Sequence, residues 1–84
     1  MSERRFEIGD EEKHLFTVDY NLFTKSIRIE QDAVLVVDEW HPSPLSKKFE
    51  FDVGSSERHH IEVTVGAFHP GELTVDSIPA SPLP

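Results

Sequence analysis

The chain has 84 residues, 16 acidic against 8 basic and no cysteine, which fits one small domain and leaves too little chain for two. Its net charge of -8 repels phosphate backbones and anionic lipid, so neither nucleic acid nor a membrane is expected as a partner. Without cysteine there is no disulfide, thiolate metal site or thiol catalysis, and a reducing, cytoplasmic setting is the expected one.

The first residues, MSERRFEIGDEEK, carry no apolar run after Arg4 and Arg5, so no secretory signal is expected. From there the apolar residues recur with a period of two, the signature of half-buried strands. Phe6 and Ile8 share one side of the first run. Phe16, Val18 and Tyr20 share a side in the second, and Ile27 and Ile29 in the third. AVLVV, residues 33 to 37, does not alternate. It reads as a strand covered on both faces, or as an edge shielded by the tail. EWHPSPLS, residues 39 to 46, is a connector rich in proline and serine. Alternation resumes with Phe49, Phe51 and Val53, continues with Ile61, Val63 and Val65, and ends with Leu73 and Val75. SIPASPLP, residues 77 to 84, is too proline-rich for a central strand and reads as an extended tail. About seven short strands result, with no helical periodicity.

Residues 6 to 18 and 51 to 63 read almost alike at an offset of 45. Phe6 matches Phe51, Gly9 matches Gly54, Glu12 matches Glu57, His14 matches His59 and Val18 matches Val63. About one identity is expected by chance in such a window. Phe23 meets Phe68 at the same offset, and after one inserted residue Ile27 to Glu30 meets Leu73 to Asp76. A three-stranded meander has one apolar face and cannot bury it alone. Two copies can stack those faces with a layer about 10 Å thick between them. The expected fold is therefore an all-β antiparallel sandwich of two pseudo-symmetric meanders in a single domain, residues 1 to 84. Repeat one covers about 4–38, the connector 39–46, repeat two about 47–76 and the tail 77–84. The expected core is Phe6, Ile8, Phe16, Val18, Ile27, Ile29, Leu35, Phe49, Phe51, Val53, Ile61, Val63, Leu73 and Val75. The matched glycines each precede an acidic turn, where a positive φ is expected.

The five histidines, His14, His41, His59, His60 and His69, raise a metal hypothesis. His59 and His60 are adjacent and point to opposite faces of a strand, so one ion does not suit both. His14 and His59 have the parity of core residues at a strand start, which places them at a rim with a structural role or as a pH-sensing pair. A site joining His60 or His69 to a carboxylate lacks the spacing of any zinc motif. The acidic turns lack the alternating carboxylates of a calcium loop, and Glu11-Glu12 reads as a solvated face. Ser43, Ser46, Ser55 and Ser56 have no nucleophile-elbow context. No cofactor, metal ligand or catalytic residue is assigned, and no enzyme is expected. Trp40, beside His41 and Pro42, reads either as a plug closing one end of the fold or as a contact anchor.

The pattern F-x-V-G at Phe51 to Gly54, then H-x-I-x-V at His59 to Val63 and G-x-L-x-V at Gly71 to Val75, resembles the strand repeats of the Fas apoptotic inhibitory molecule family. The likeness covers residues 48 to 76 and, less closely, 4 to 30. It implies an antiparallel β-sandwich and a non-enzymatic interaction role, and it carries over no functional residue. The expected function is a small protein-interaction module, acting on a protein partner or as a homodimer, with Val34, Val36 and Trp40 as contact residues. The alternative is a metal or small-ligand binding protein using surface histidines and acidic turns. The acidic surface also suits a high-salt cytoplasm.

Overall fold

A computed structural model of the chain describes residues 2–42, 45–66 and 69–84; the side chains of Ser2, His69 and Pro70 are outside that description. Phe68, Ser43 and Pro44, invoked above, lie outside the described residues. Among the described residues every regular element is a strand: β1 Ser2–Ile8, β2 His14–Asn21, β3 Ser26–Gln31, β4 Val34–Trp40, β5 Lys47–Val53, β6 His59–Gly66, β7 His69–Val75 and β8 Ile78–Pro79. They form two four-stranded antiparallel sheets in the orders β1-β2-β3-β4 and β5-β6-β7-β8. Each half of the chain thus builds its own sheet as a simple meander.

The period-two pattern explains the pairing. Phe6 lies opposite Phe16, Val18 opposite Ile29 and Tyr20 opposite Ile27. In the second sheet Phe51 and Val75 flank Ile61, and Val63 faces Leu73. Residues from both sheets, among them Phe16, Val18, Ile29, Ile61, Val63 and Leu73, form one continuous buried cluster. The Phe16 and Phe51 rings meet across it with centroids 5.8 Å apart, tilted by 53°. Each large side chain so buried is worth roughly 1.5–3 kcal/mol against its exposed state.

The structure departs from the sequence reading in five places. The described residues form eight strands where about seven were expected, because Ile78–Pro79 pairs with β7 within the proline-rich tail. An edge strand tolerates the missing N–H of Pro79. β4 continues to Trp40, so the connector begins at His41. The core gains Tyr20 and Val65, and Phe49, Phe51 and Val75 only flank it. Leu35 is not in the core; it is 49% exposed. A register shift causes this: Val37 pairs with Ile29 but Leu35 pairs with Glu30, leaving Val36 as an extra residue. A bulge of this kind reverses the side-chain alternation beyond it, so Val37 packs on the core while Leu35 turns outward with Glu30. Nor does the tail shield β4. It runs to the other edge of the first sheet, where the Leu83 N–H donates to the Arg5 carbonyl at 2.7 Å.

Candidate functional site

The matched turns between β1 and β2 and between β5 and β6 hold the densest polar network. Gly9 and Gly54 take φ of 99° and 101°, a region glycine enters cheaply. Each turn folds its backbone N–H groups inward, and the carboxylate they receive comes from the other half of the chain. Glu57 accepts from the N–H groups of Asp10 at 2.9 Å, Glu11 at 2.8 Å and Glu12 at 3.2 Å. Glu12 accepts from the N–H groups of Ser55 at 3.0 Å, Ser56 at 2.9 Å and Glu57 at 3.4 Å. The Ser55 and Ser56 hydroxyls donate to Glu12 as well, at 3.2 and 2.9 Å. A concavity of successive N–H groups is a natural anion cradle; here each cradle is filled by the protein itself.

Behind each carboxylate stands a histidine gripped on both sides. His14 places Nε2 2.6 Å from Glu12 and Nδ1 2.7 Å from Asp32. His59 places Nε2 2.5 Å from Glu57 and Nδ1 2.7 Å from Asp76. Asp32 and Asp76 follow β3 and β7, and each also accepts a backbone N–H, from Leu15 and His60 respectively. The Ser56 N–H, then His14, hold the Glu12 carboxyl far below the usual carboxylate range. His59 and the three N–H donors bring Glu57 down to about 2. Asp32 pushes the His14 imidazole upward, with Glu12 second; Asp76 and then Glu57 do the same for His59.

The rim position expected for His14 and His59 is the one they occupy, half-buried at the start of their strands. The reading of Glu12 as part of a solvated face is corrected: its side chain is 22% exposed and its oxygens are taken by protein donors. The sequence held a usable signal in the recurring pattern G-x-x-E-x-H. The pairing also fixes the correspondence of the halves differently near their ends. Val18 faces Ile29 where Val63 faces Leu73, and Asp32 stands where Asp76 does. The second half is therefore one residue shorter there. The inserted residue inferred from the sequence differs from this by a two-residue slip, which preserves every side-chain face and is invisible to an alternation argument.

Two further histidines are engaged separately. His41 bonds the Leu45 carbonyl through Nε2 at 2.5 Å, tying the ends of the connector. His60 points away from His59, as adjacent strand residues must. Its Nδ1 lies 3.0 Å from Asp52 and its Nε2 3.0 Å from Glu50. Asp52, then Glu50, raise its pKa. Potential ligand atoms of Glu50, His60 and Glu62 fall within 4.8 Å of one another. They have ion-pair and hydrogen-bond partners of their own, however: Lys48 pairs with Glu62 at 3.0 Å, and His60 lies 3.0 Å from Asp52 and from Glu50. We read this trio as a surface ion-pair network. Asp52, Arg58, His59 and His60 line an open depression of about 350 Å³ beside it.

The contact residues named from sequence lie on β4. Val34 and Val36 are exposed, and Trp40 is 72% exposed. Trp40 therefore does not plug one end of the fold. It faces Ser26 across the ladder, next to the turn that joins β2 to β3. In that turn Phe23 is 90% exposed, held outward by an Asn21 side chain that accepts from the Phe23 and Thr24 N–H groups at 2.9 and 3.3 Å. The sequence reading treated Phe23 only as a repeat match. Its displacement from the strand alternation, inside a turn sequence, was the missed signal of an outward aromatic.

No family model, no curated protein and no solved structure matches this chain. Among the described residues, no helix is long and apolar enough to cross a membrane.

Proposed function

We propose that this protein is a non-enzymatic protein-interaction module whose contact surface is β4 with Trp40, extended by Phe23. One observation carries the reading: Val34, Val36 and Trp40 lie exposed on β4, an edge strand of the first sheet whose first four residues, Val34 to Val37, carry neither charge nor proline. Unprotected edges invite association, and proteins commonly blunt them. β1 is bridged by the tail at Arg5. β5 bears Lys47, Lys48, Glu50 and Asp52, and β8 is two residues long and includes Pro79. β4 instead offers apolar side chains, and exposed tryptophan and phenylalanine are favoured anchors of interfaces. The extra residue at Val36, with Asp38 and Glu39 further on, opposes extension of the sheet by a second strand. Side-chain packing is the expected mode of contact. A second copy is the first partner to test; because each copy carries -8, salt should strengthen that association by screening.

Trp40 is the only tryptophan, so its fluorescence reports directly on this surface. On concentrating the protein in moderate salt, the emission should shift to the blue while light scattering records a dimer. Val36→Lys combined with Trp40→Ser should abolish the dimer and leave the melting temperature within a few degrees, since neither residue is in the core. A monomer whose Trp40 emission never shifts, either at high concentration or on addition of native cell extract, would remove this reading.

A further inference from the structure

We propose that the two reciprocally capped turns form a pH-sensitive clamp between the sheets, closed while His14 and His59 carry a proton on both ring nitrogens and loosened when they lose one. The geometry requires this. A neutral imidazole has one N–H, yet each of these rings faces a carboxylate at both nitrogens, at 2.6 and 2.7 Å for His14 and 2.5 and 2.7 Å for His59. Only the imidazolium donates in both directions. On deprotonation, one nitrogen presents a lone pair to a carboxylate oxygen and that contact becomes repulsive. The carboxylates disturbed are the ones that hold the opposite half: Glu12 gathers the N–H groups of Ser55 and Ser56, and Glu57 those of Asp10 and Glu11. A proton lost in one half therefore weakens the capping of a turn in the other.

The charges around each ring are these. His14 faces Glu12 from its own turn and Asp32 from the turn after β3, with the Glu57 carboxylate beyond, near Gly9. Its neighbour across the ladder on β1 is the apolar Ile8. His59 faces Glu57 and Asp76, with Glu12 near Gly54; its neighbour on β5 is Val53, and Asp52, Arg58 and His60 share the adjoining depression. Opposite charges dominate at both rings, so the folded-state pKa of each lies above the ordinary histidine value. The stabilisation is then fully present below about pH 6.5 and is lost as pH rises through the folded-state values.

The test is a pH series from 5 to 9 on the intact chain, following the imidazole C–H resonances, the melting temperature and amide-exchange protection. We expect His14 and His59 to titrate above the unfolded value. Protection at the Asp10, Glu11, Ser55 and Ser56 amides should fall about tenfold as they do, the order expected for losing a charge-assisted hydrogen bond. His14→Gln combined with His59→Gln should flatten this dependence, whereas His60→Gln should leave protection at those four amides unchanged. Resonances of His14 or His59 titrating at or below the unfolded value in the wild-type protein would overturn the proposal, even if the double variant fails to fold. So would protection at those amides that does not change while the rings titrate.

Discussion

Replacing Glu12 with glutamine should lower the melting temperature more than the same change at Glu57, with the Glu12 effect on the order of 10 °C for a domain of this size. Glutamine keeps the shape of the side chain but removes the charge and puts an NH2 donor where an acceptor is needed. Around Glu12 those acceptors serve the Ser55, Ser56 and Glu57 N–H groups, both serine hydroxyls and His14. Around Glu57 they serve the Asp10, Glu11 and Glu12 N–H groups and His59, with no hydroxyl among them. The positions corresponding to Ser55 and Ser56 hold Asp10 and Glu11, which bring acceptors instead of donors. The clamp is thus similar in backbone and unequal in side-chain support. Calorimetric melting of the two single variants at pH 6 decides the order; equal effects would mean that the hydroxyls add nothing.

The same carboxylates set the acid limit. Glu57 has its pKa brought down from 4.5 to about 2, and Glu12 is depressed further. A group depressed in the folded state contributes stability above its unfolded pKa and loses it as pH falls through the folded one. Stability should therefore decline between about pH 4.5 and pH 2, measured as the melting temperature in an acid series. With the imidazoles acting in the opposite direction above about pH 6.5, the most stable range should lie between the two windows.

Much of the fold was legible because a strand with one wet face writes its burial directly into alternate residues. Phe16, Val18, Ile27, Ile29, Ile61 and Val63 needed no further information. What alternation could not carry was register. A bulge at Val36 turned Leu35 outward, and a slip of two residues left faces intact while misaligning Asp32 and Asp76. The site was less legible for a related reason. Glu12 and Glu57 sit in acidic turns that look solvated one at a time, and only the fold brings each beneath the other's backbone. Their recurrence between a glycine and a histidine was visible; that each would serve the opposite copy was not. Exposure of Trp40 followed from the extension of β4, a boundary that the proline-rich connector obscured.

Gly9→Ala and Gly54→Ala should each cost about 2 kcal/mol or more, from the positive φ alone and then from contact. A Cβ built on Gly9 overlaps the Glu12 carbonyl oxygen and comes 3.3 Å from the Glu57 carboxylate. On Gly54 it overlaps the Glu57 carbonyl oxygen and comes 3.2 Å from the Glu12 carboxylate. Relief would require the turn to open, and the turn is the cradle for the opposite carboxylate, so backbone strain and loss of the clamp arrive together. A small domain has only about 5–15 kcal/mol to lose, and the double variant should be largely unfolded at 37 °C. Because an 84-residue chain is within reach of chemical synthesis, the cause can be isolated. D-Alanine favours positive φ and restricts the unfolded chain, so at Gly9 it should restore most of what L-alanine removes. Denaturant melts of the L- and D-alanine proteins provide the comparison. If both lose stability equally, crowding at the turn, rather than its handedness, explains why glycine stands in both copies.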